Sequence, residues 1–267
     1  MVTRFESRGP RSIALGAMLA ALAIIYLPPF YMLAISFNQN LQPAFPGPAD
    51  LSVKWYVALA KDGRLLGALR ESLVVATLTA AISVVVALLA ALAYLEMRRL
   101  RSQWFLFVIF SMFVPGVVQG LALSAVFGRI GVKPFWGTVA AAHLLWALPF
   151  AFTVVLTSLG VVRKSYLMAA ADLGASWFRR LWDIILPLIR PGLAGAFIFS
   201  FLLSLNEYSR AYYLVGRQNT LPLDMFGKMN SGASPTIYAL SGAILMASFV
   251  AVAAVVLITA GRNARRA

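Results

Sequence analysis

The chain is 267 residues long, 61% hydrophobic and 12% charged, with no cysteine and a formal net charge of +14. Soluble domains hold roughly 45–50% apolar and about 25% charged residues, so a soluble core of this size would lack a polar coat, and the chain belongs in a membrane. The absent cysteines exclude disulfides, cysteine zinc sites, iron–sulfur clusters and thiol nucleophiles.

A helix crosses about 30 Å of hydrocarbon with roughly 20 mostly apolar residues. Six runs of that kind are present, and none shows the period-2 alternation of a membrane β-barrel. The expectation is an all-α, polytopic bundle of six transmembrane helices, a single membrane domain over 12–260 between short cytoplasmic ends, 1–11 and 261–267.

In chain order, the first run is Ser12–Phe37, behind Arg4, Arg8 and Arg11. It is longer than the 7–15 apolar residues, roughly, of a cleavable signal and no small-residue cleavage site follows, so it reads as an uncleaved span. The loop 38–69 opens with Pro43, Pro46 and Pro48, which favour extended chain. It continues with Trp55, Tyr56, Leu59, Leu65, Leu66 and Leu69 beside Lys54, Lys61 and Arg64, a pattern for a short interfacial helix. That helix is either an anchoring belt or part of a platform for an outside partner. The second run is Ser72–Leu95 and the third Trp104–Phe127, where Pro115, Gly116 and Gly120 mark either a hinge or close packing. The fourth, Trp136–Val162, contains Pro149 and His143. This histidine either lines a path or is hydrogen-bonded to a neighbouring helix.

The segment 163–187 is too polar to cross and is densely patterned. Ser165 is placed to cap a helix running to Leu173, Gly174 suits the left-handed position after its end, and Ser176 is placed to cap a second helix. On that second helix Trp177, Leu181, Ile184 and Ile185 form an apolar stripe, while Arg179, Arg180 and Asp183 face elsewhere. Leu186-Pro187 begins a transition ending at Pro191, and the fifth run, Leu188–Asn206, extends irregularly toward Leu214. The expected result is a helix–turn–helix lying along the cytoplasmic side.

Past the fifth run, Asn206, Glu207, Tyr208 and Arg210 require a watery or protein-lined setting. Val215–Pro235, with Gly216, Pro222, Gly227, Gly232 and Pro235, cannot be one regular helix and reads as a re-entrant loop over the outside mouth, 207–235. Tyr238–Ala260 is the sixth run.

With both termini on one side, that side carries Arg4, Arg8, Arg11, Arg98, Arg99, Arg101, Arg163, Lys164, Arg179, Arg180, Arg190, Arg262, Arg265 and Arg266. The other side carries Lys54, Lys61, Arg64, Arg70, Arg129, Lys133, Arg210, Arg217 and Lys228. The imbalance of 14 to 9 puts both termini in the cytoplasm by the positive-inside rule. Basic residues dealt out at span ends also argue against a nucleic-acid surface.

Catalytic chemistry is sparse. There is no G-x-x-x-x-G-K-[ST] loop for ATP, no H-E-x-x-H, a single histidine and no aspartate pair within the runs, so an integral-membrane enzyme is unsupported, and no metal or cofactor is expected in this chain. Of nine acidic residues only Glu207 reaches into a span. A secondary carrier normally places ionisable groups at midspan, so energy is expected from another subunit. A secondary transporter or channel acting without an ATPase is the competing reading.

Ala169-Ala170-Ala171-Asp172-Leu173-Gly174-Ala175-Ser176, followed by Ile185-Leu186-Pro187-Leu188 eleven residues after Gly174 and by Pro191-Gly192, resembles the EAA loop of the permease subunits of binding-protein-dependent ATP-binding cassette importers, which share the MetI-like fold. Lys54-Trp55-Tyr56, Thr220-Leu221-Pro222-Leu223, Ser234-Pro235 and Ala239-Leu240 are similar to the shorter permease of spermidine/putrescine-type systems, whose branch also serves other cargoes. The resemblance implies a prokaryotic inner-membrane protein that forms half of a translocation pathway. Its implied partners are a second permease, most simply a paralogue, two cytoplasmic ATPase subunits carrying ATP and Mg, and an extracytoplasmic solute-binding protein. It implies that Leu167, Met168, Ala169, Ala170, Asp172, Leu173, Gly174, Ala175, Ser176 and Trp177 dock on an ATPase subunit, with Met168 standing where the family has its Glu and Asp172 one turn later. Asn206, Glu207, Tyr208, Pro115 and His143 are the pathway or gate candidates. For Glu207 the readings are a gate or packing role and attraction of a cationic amine.

Overall fold

The computed structural model describes residues 8–97, 99–232 and 235–264, with side chains over 12–97, 99–232 and 235–250. Arg4, Arg98, Ser234, Arg265 and Arg266, and the side chains of Arg8, Arg11 and Arg262, lie outside the described residues. Among the described residues the fold is helical, and the lone β-bridge joins Asn38 to Leu51.

Among the described residues four helices are long and apolar enough to cross a membrane: Ser12–Ile35 within α1 (Arg8–Ile35), α3 (Gly63–Glu96), α6 (Trp136–Leu159) and the continuous helix Trp177–Leu205. A fifth is a broken pair. The third run does not form one helix: α4 (Arg101–Ile109) tightens into a 3₁₀ turn over Phe110–Phe113, and α5 (Gly116–Arg129) leaves at 97°. Pro115 is the extended N-cap of α5, so the proline and glycine that raised the question of a hinge produce a full break. The expected sixth span corresponds to α11 (Pro235–Ala264), whose apolar part among the described residues, Pro235–Val250, is shorter than a span.

The second span is also longer than its apolar run. α2 (Lys54–Lys61) ends at Asp62 and α3 starts at once, so Leu65, Leu66 and Leu69 belong to α3 rather than to an interfacial helix. At about 1.5 Å per residue, its 34 residues reach roughly 50 Å, well beyond the hydrocarbon. Arg70 and Glu71 are good helix formers and do not stop it.

The described residues form two compact units, those up to Gly63 together with those from Gly227, and those of Arg64–Phe226. In the first, α1 packs on α11 through stacked Phe30 and Phe249, 5.5 Å apart. Ser36 and Tyr56 share a 2.6 Å hydrogen bond, and Trp55 Nε1 donates to the Asn38 carbonyl at 3.0 Å. A Cβ on Gly242 would overlap both hydroxyls of that pair, so glycine permits the approach.

In the second unit the buried stripe of α3 is small: Ser72, Val75, Ala76, Thr79, Ala80, Ser83, Ala87, Ala90 and Ala91. Lipid offers no hydrophobic drive between helices, so close van der Waals packing of small residues does the work. Ala87, Ala90 and Ala91 meet Ala151, Phe152 and Val155 of α6 with Ile185, Ile189 and Ala196. α6 and α9 (Leu186–Leu205) form the most extensive helix pair, so tight that a Cβ on Gly192 would overlap the Ser158 hydroxyl. Near the end of the unit, α10 (Leu221–Asn230) interrupts the irregular segment before α11, and its first N–H is satisfied by Ser72 Oγ at 2.7 Å.

Candidate functional site

Two places concentrate the sequence candidates, both within the second unit. The first is the hairpin of α7 (Lys164–Asp172) and α8 (Trp177–Arg180). α7 ends in a Schellman motif: Gly174 adopts φ +81°, its N–H bonds the Ala171 carbonyl, and the Ala175 N–H reaches back to Ala170, each at 2.9 Å. Ser176 caps α8 by accepting from the Arg179 N–H at 3.3 Å. The expected cap at Ser165 is not made. Arg163 occupies the N-cap position without a side-chain bond, and Ser165 lies inside the first turn.

The expected transition at Leu186-Pro187 is not a break either. Pro187 has no N–H to give the Asp183 carbonyl, and its ring would press on that group. The ladder slips instead: the Leu186 N–H bonds Leu181, five residues back, making a π-turn over Leu181–Ile185. The polar arm and the apolar span are thereby one continuous helix, Trp177–Leu205.

Of the expected apolar stripe, Ile185 is buried and Leu181 and Ile184 are half-buried, but Trp177 is exposed. Phe178 and Trp182, left out of the sequence reading, are exposed as well and pack on each other at 5.8 Å. Leu173 stands at the turn, 89% exposed, flanked by exposed Met168, Ala169, Asp172 and Gly174, with Ala170, Ala175 and Leu167 half-buried. Met168, Leu167, Lys164, Trp177 and Arg180 line a cavity of about 900 Å³ with Glu96 and Leu92 of α3. The Arg179–Asp183 pair, 3.3 Å and exposed on both sides, contributes little to stability.

The second place is the end of α9. Asn206 is its C-cap, exposed, with its amide turned back to the Leu202 carbonyl at 2.9 Å. Tyr208 packs against Phe226 at 4.6 Å. Glu207 turns inward and is 8% exposed, yet it is not free. One of its carboxylate oxygens accepts from the Arg210 backbone N–H at 3.0 Å, the other from Arg210 Nη1 at 2.8 Å. Arg210, 5% exposed, also donates through Nε to Gln119 Oε1 at 2.6 Å and lies 4.5 Å over the Trp146 ring. Gln119 is held in turn by its own donation to the Ser111 carbonyl at 2.5 Å, and Ser111 donates to Leu145 at 2.7 Å.

One turn before Trp146 on α6, buried His143 shares a 2.7 Å hydrogen bond with Ser204 of α9. That geometry fits the reading of His143 as a helix-to-helix partner. Pro115 contributes by direction: the break it makes aims α5 so that Gly116 and Gly120 face Arg210. Glu207 and the Gly116 that follows Pro115 therefore meet at Arg210, and His143 bonds Ser204 one turn from Trp146, whereas Asn206 is exposed and Tyr208 packs on Phe226. Sequence reasoning missed Arg210, Gln119 and Trp146 as members of the cluster. The i, i+3 spacing of Glu207 and Arg210, and one glutamine among the apolar residues of α5, were the available signals.

The family described as binding-protein-dependent transport system inner membrane component matches residues 83–263. The spermidine/putrescine transport system permease protein PotC of Escherichia coli (strain K12) is 32% identical over 249 residues, 90% of each chain. The putrescine transport system permease protein PotI of the same organism is 28% identical over 248 residues, 88% of this chain and 87% of its own. Among solved structures, a bacterial ABC transporter involved in import of the acidic polysaccharide alginate superposes with a TM-score of 0.67 at 17% identity, over 96% of this chain and 98% of that one. The alginate transporter in complex with alginate pentasaccharide-bound periplasmic protein gives 0.68 at 18% identity, over 94% and 93%. At those identities the structural likeness speaks for the fold.

Proposed function

The chain belongs to the inner membrane components of binding-protein-dependent transport systems and is a permease subunit of an ATP-binding cassette importer; from that premise we propose that its cargo is a small polycationic amine of the spermidine or putrescine class. The observation that carries this reading is likeness to spermidine/putrescine and putrescine permeases along nearly the whole chain, loops included. The chain supplies half of the pathway and pairs with a second, paralogous permease. An extracytoplasmic binding protein delivers the amine, and two ATPase subunits bind ATP and Mg and hydrolyse the nucleotide.

The α7–α8 hairpin is the part that meets the ATPase. Its exposed turn at Leu173, the small Ala169 and Ala170 faces and the stiff continuation through the π-turn into α9 suit a knob that transmits motion to a span. Met168 offers an apolar contact where an acidic one would be strongest, with Asp172 one turn on. In this arrangement α11 completes a six-span topology with both termini and the hairpin in the cytoplasm, and 207–235 lies at the outside mouth.

Uptake of labelled putrescine and spermidine, measured in a host deleted for its own polyamine importers and expressing the complete system, tests the cargo. ATP-dependent uptake requiring the binding protein is expected. Absence of uptake for both amines rejects the cargo assignment, and uptake by the chain alone in proteoliposomes driven by an ion gradient rejects the division of labour.

A further inference from the structure

The group around Arg210 has the composition of a cation-binding site. A carboxylate, an indole face and an amide oxygen converge from the segment after α9, from α6 and from α5, and together they enclose one guanidinium. Carboxylate pairing, cation–π attraction and a carbonyl acceptor are the three ways a protein holds an organic cation away from water. Gly116 makes room for it, since a Cβ there would stand 2.8 Å from Arg210 Nη1. The walls stand on or beside regular helices, whereas the occupant is carried by the irregular stretch between α9 and a short 3₁₀ turn at Ala211–Tyr213.

A carboxylate buried to this degree cannot be left alone: removing one partner of a buried ion pair strands a charge at high cost. A rearrangement that lifts Arg210 from Glu207 is therefore favoured when another cation takes its place. We propose that Glu207, Trp146 and Gln119 form a binding site for alkylammonium or guanidinium groups whose resident occupant is the chain's own Arg210, and that cationic cargo passes by displacing that guanidinium. The assignment rests on the polyamine reading above for its physiological ligand. It adds a selection step within the permease, because a neutral or anionic solute has nothing to offer Glu207 in exchange.

Chemical rescue tests the site without transport. In the purified importer complex, Arg210→Met leaves Glu207 without its cation. The midpoint of thermal unfolding is expected to fall and to be restored by millimolar methylguanidinium or methylammonium, but not by equal potassium chloride. Putrescine is expected to bind this variant at least tenfold more tightly than wild type by calorimetry, without the binding protein. Both effects should vanish in the Glu207→Gln/Arg210→Met double variant, which strands no charge. No rescue and no gain in putrescine binding, or an equal response in the double variant, overturns the proposal. Should Arg210→Met fail to assemble, Arg210→Lys is measured in the same way. Its ammonium lacks the rigid planar fork with which the guanidinium joins Gln119 to Glu207, so putrescine should bind several-fold more tightly than to wild type, and unchanged binding is again a refutation. If rescue succeeds while the wild-type system carries no polyamine, the cargo assignment alone falls; intact polyamine uptake without rescue removes the internal site alone.

Discussion

Gly116 and Gly120 both face Arg210, but they meet different parts of it. A Cβ at Gly116 would approach Nη1 of the side chain, whereas one at Gly120 would stand 2.8 Å from the Arg210 carbonyl oxygen and 3.1 Å from its Cα. A guanidinium can turn aside; backbone fixed between α9 and the 3₁₀ turn cannot. Gly120→Ala is therefore expected to destabilise the importer by overpacking, on the order of 1–3 kcal/mol, with Gly116→Ala costing less while still disturbing the ion pair. Thermal unfolding of the two purified variants side by side checks the order, and equal midpoints would count against it. Glu207 shows how far single residues were legible. As the one acidic residue of nine to reach into a span it was marked as important, with a gate or packing role and attraction of a cationic amine both left open. The pairing with Arg210 was within reach of local spacing. The other two walls, Gln119 and Trp146, come from helices remote in sequence, and nothing in a linear pattern joins them.

Among the elements, the α7–α8 hairpin was the most readable because its rules are local. A Schellman glycine and a capping serine act within a turn of themselves, and both stand where the residues placed them. Gly174 also admits a clean test, since a Cβ there has nothing within 4 Å, leaving backbone strain at φ +81° as the effect of substitution. A β-branched residue in the left-handed region costs roughly 1–2 kcal/mol, and asparagine tolerates it better. Gly174→Val is expected to cut binding-protein-dependent uptake at least fivefold while the complex still assembles and hydrolyses ATP. Gly174→Asn should keep most of the transport. Paired uptake and ATPase assays on both variants decide it, and full transport by the valine variant would remove the hairpin from the coupling path. The longer elements were less legible because their limits depend on packing and solvent. Arg70 and Glu71 look like the end of a span but are interior to α3. Pro115 announces a break, but nothing in the local pattern gives its angle, 97°. Pro187 promised an interruption, and the helix absorbed it as a π-turn because one shifted bond satisfies the ladder.

At the scale of the whole molecule, sidedness bears on the role proposed for the hairpin, since a knob on the outer face would have no ATPase to meet. On the proposed six-span topology fourteen basic residues fall on one side against nine on the other, which by the positive-inside rule would make the first side cytoplasmic; three of the nine sit in the segment 38–69, where long loops weaken the rule. The absence of cysteine makes the natural chain a ready background for testing this by labelling. Gln42, Ser102 and Ser165 are exposed and lie respectively in the loop after α1, near the start of α4 and on α7. With a membrane-impermeant maleimide on intact spheroplasts, Gln42→Cys is expected to label while Ser102→Cys and Ser165→Cys stay protected. In inverted vesicles the pattern should exchange. Labelling of Ser165→Cys from the outside would turn the molecule over and take the ATPase away from the hairpin. Protection of Gln42→Cys in both preparations would instead mean that the loop lies against a partner subunit or within the lipid interface. The two readings kept open for that segment, anchoring belt and docking platform, then separate when the binding protein is added: a platform loses its label to the partner, and a belt does not.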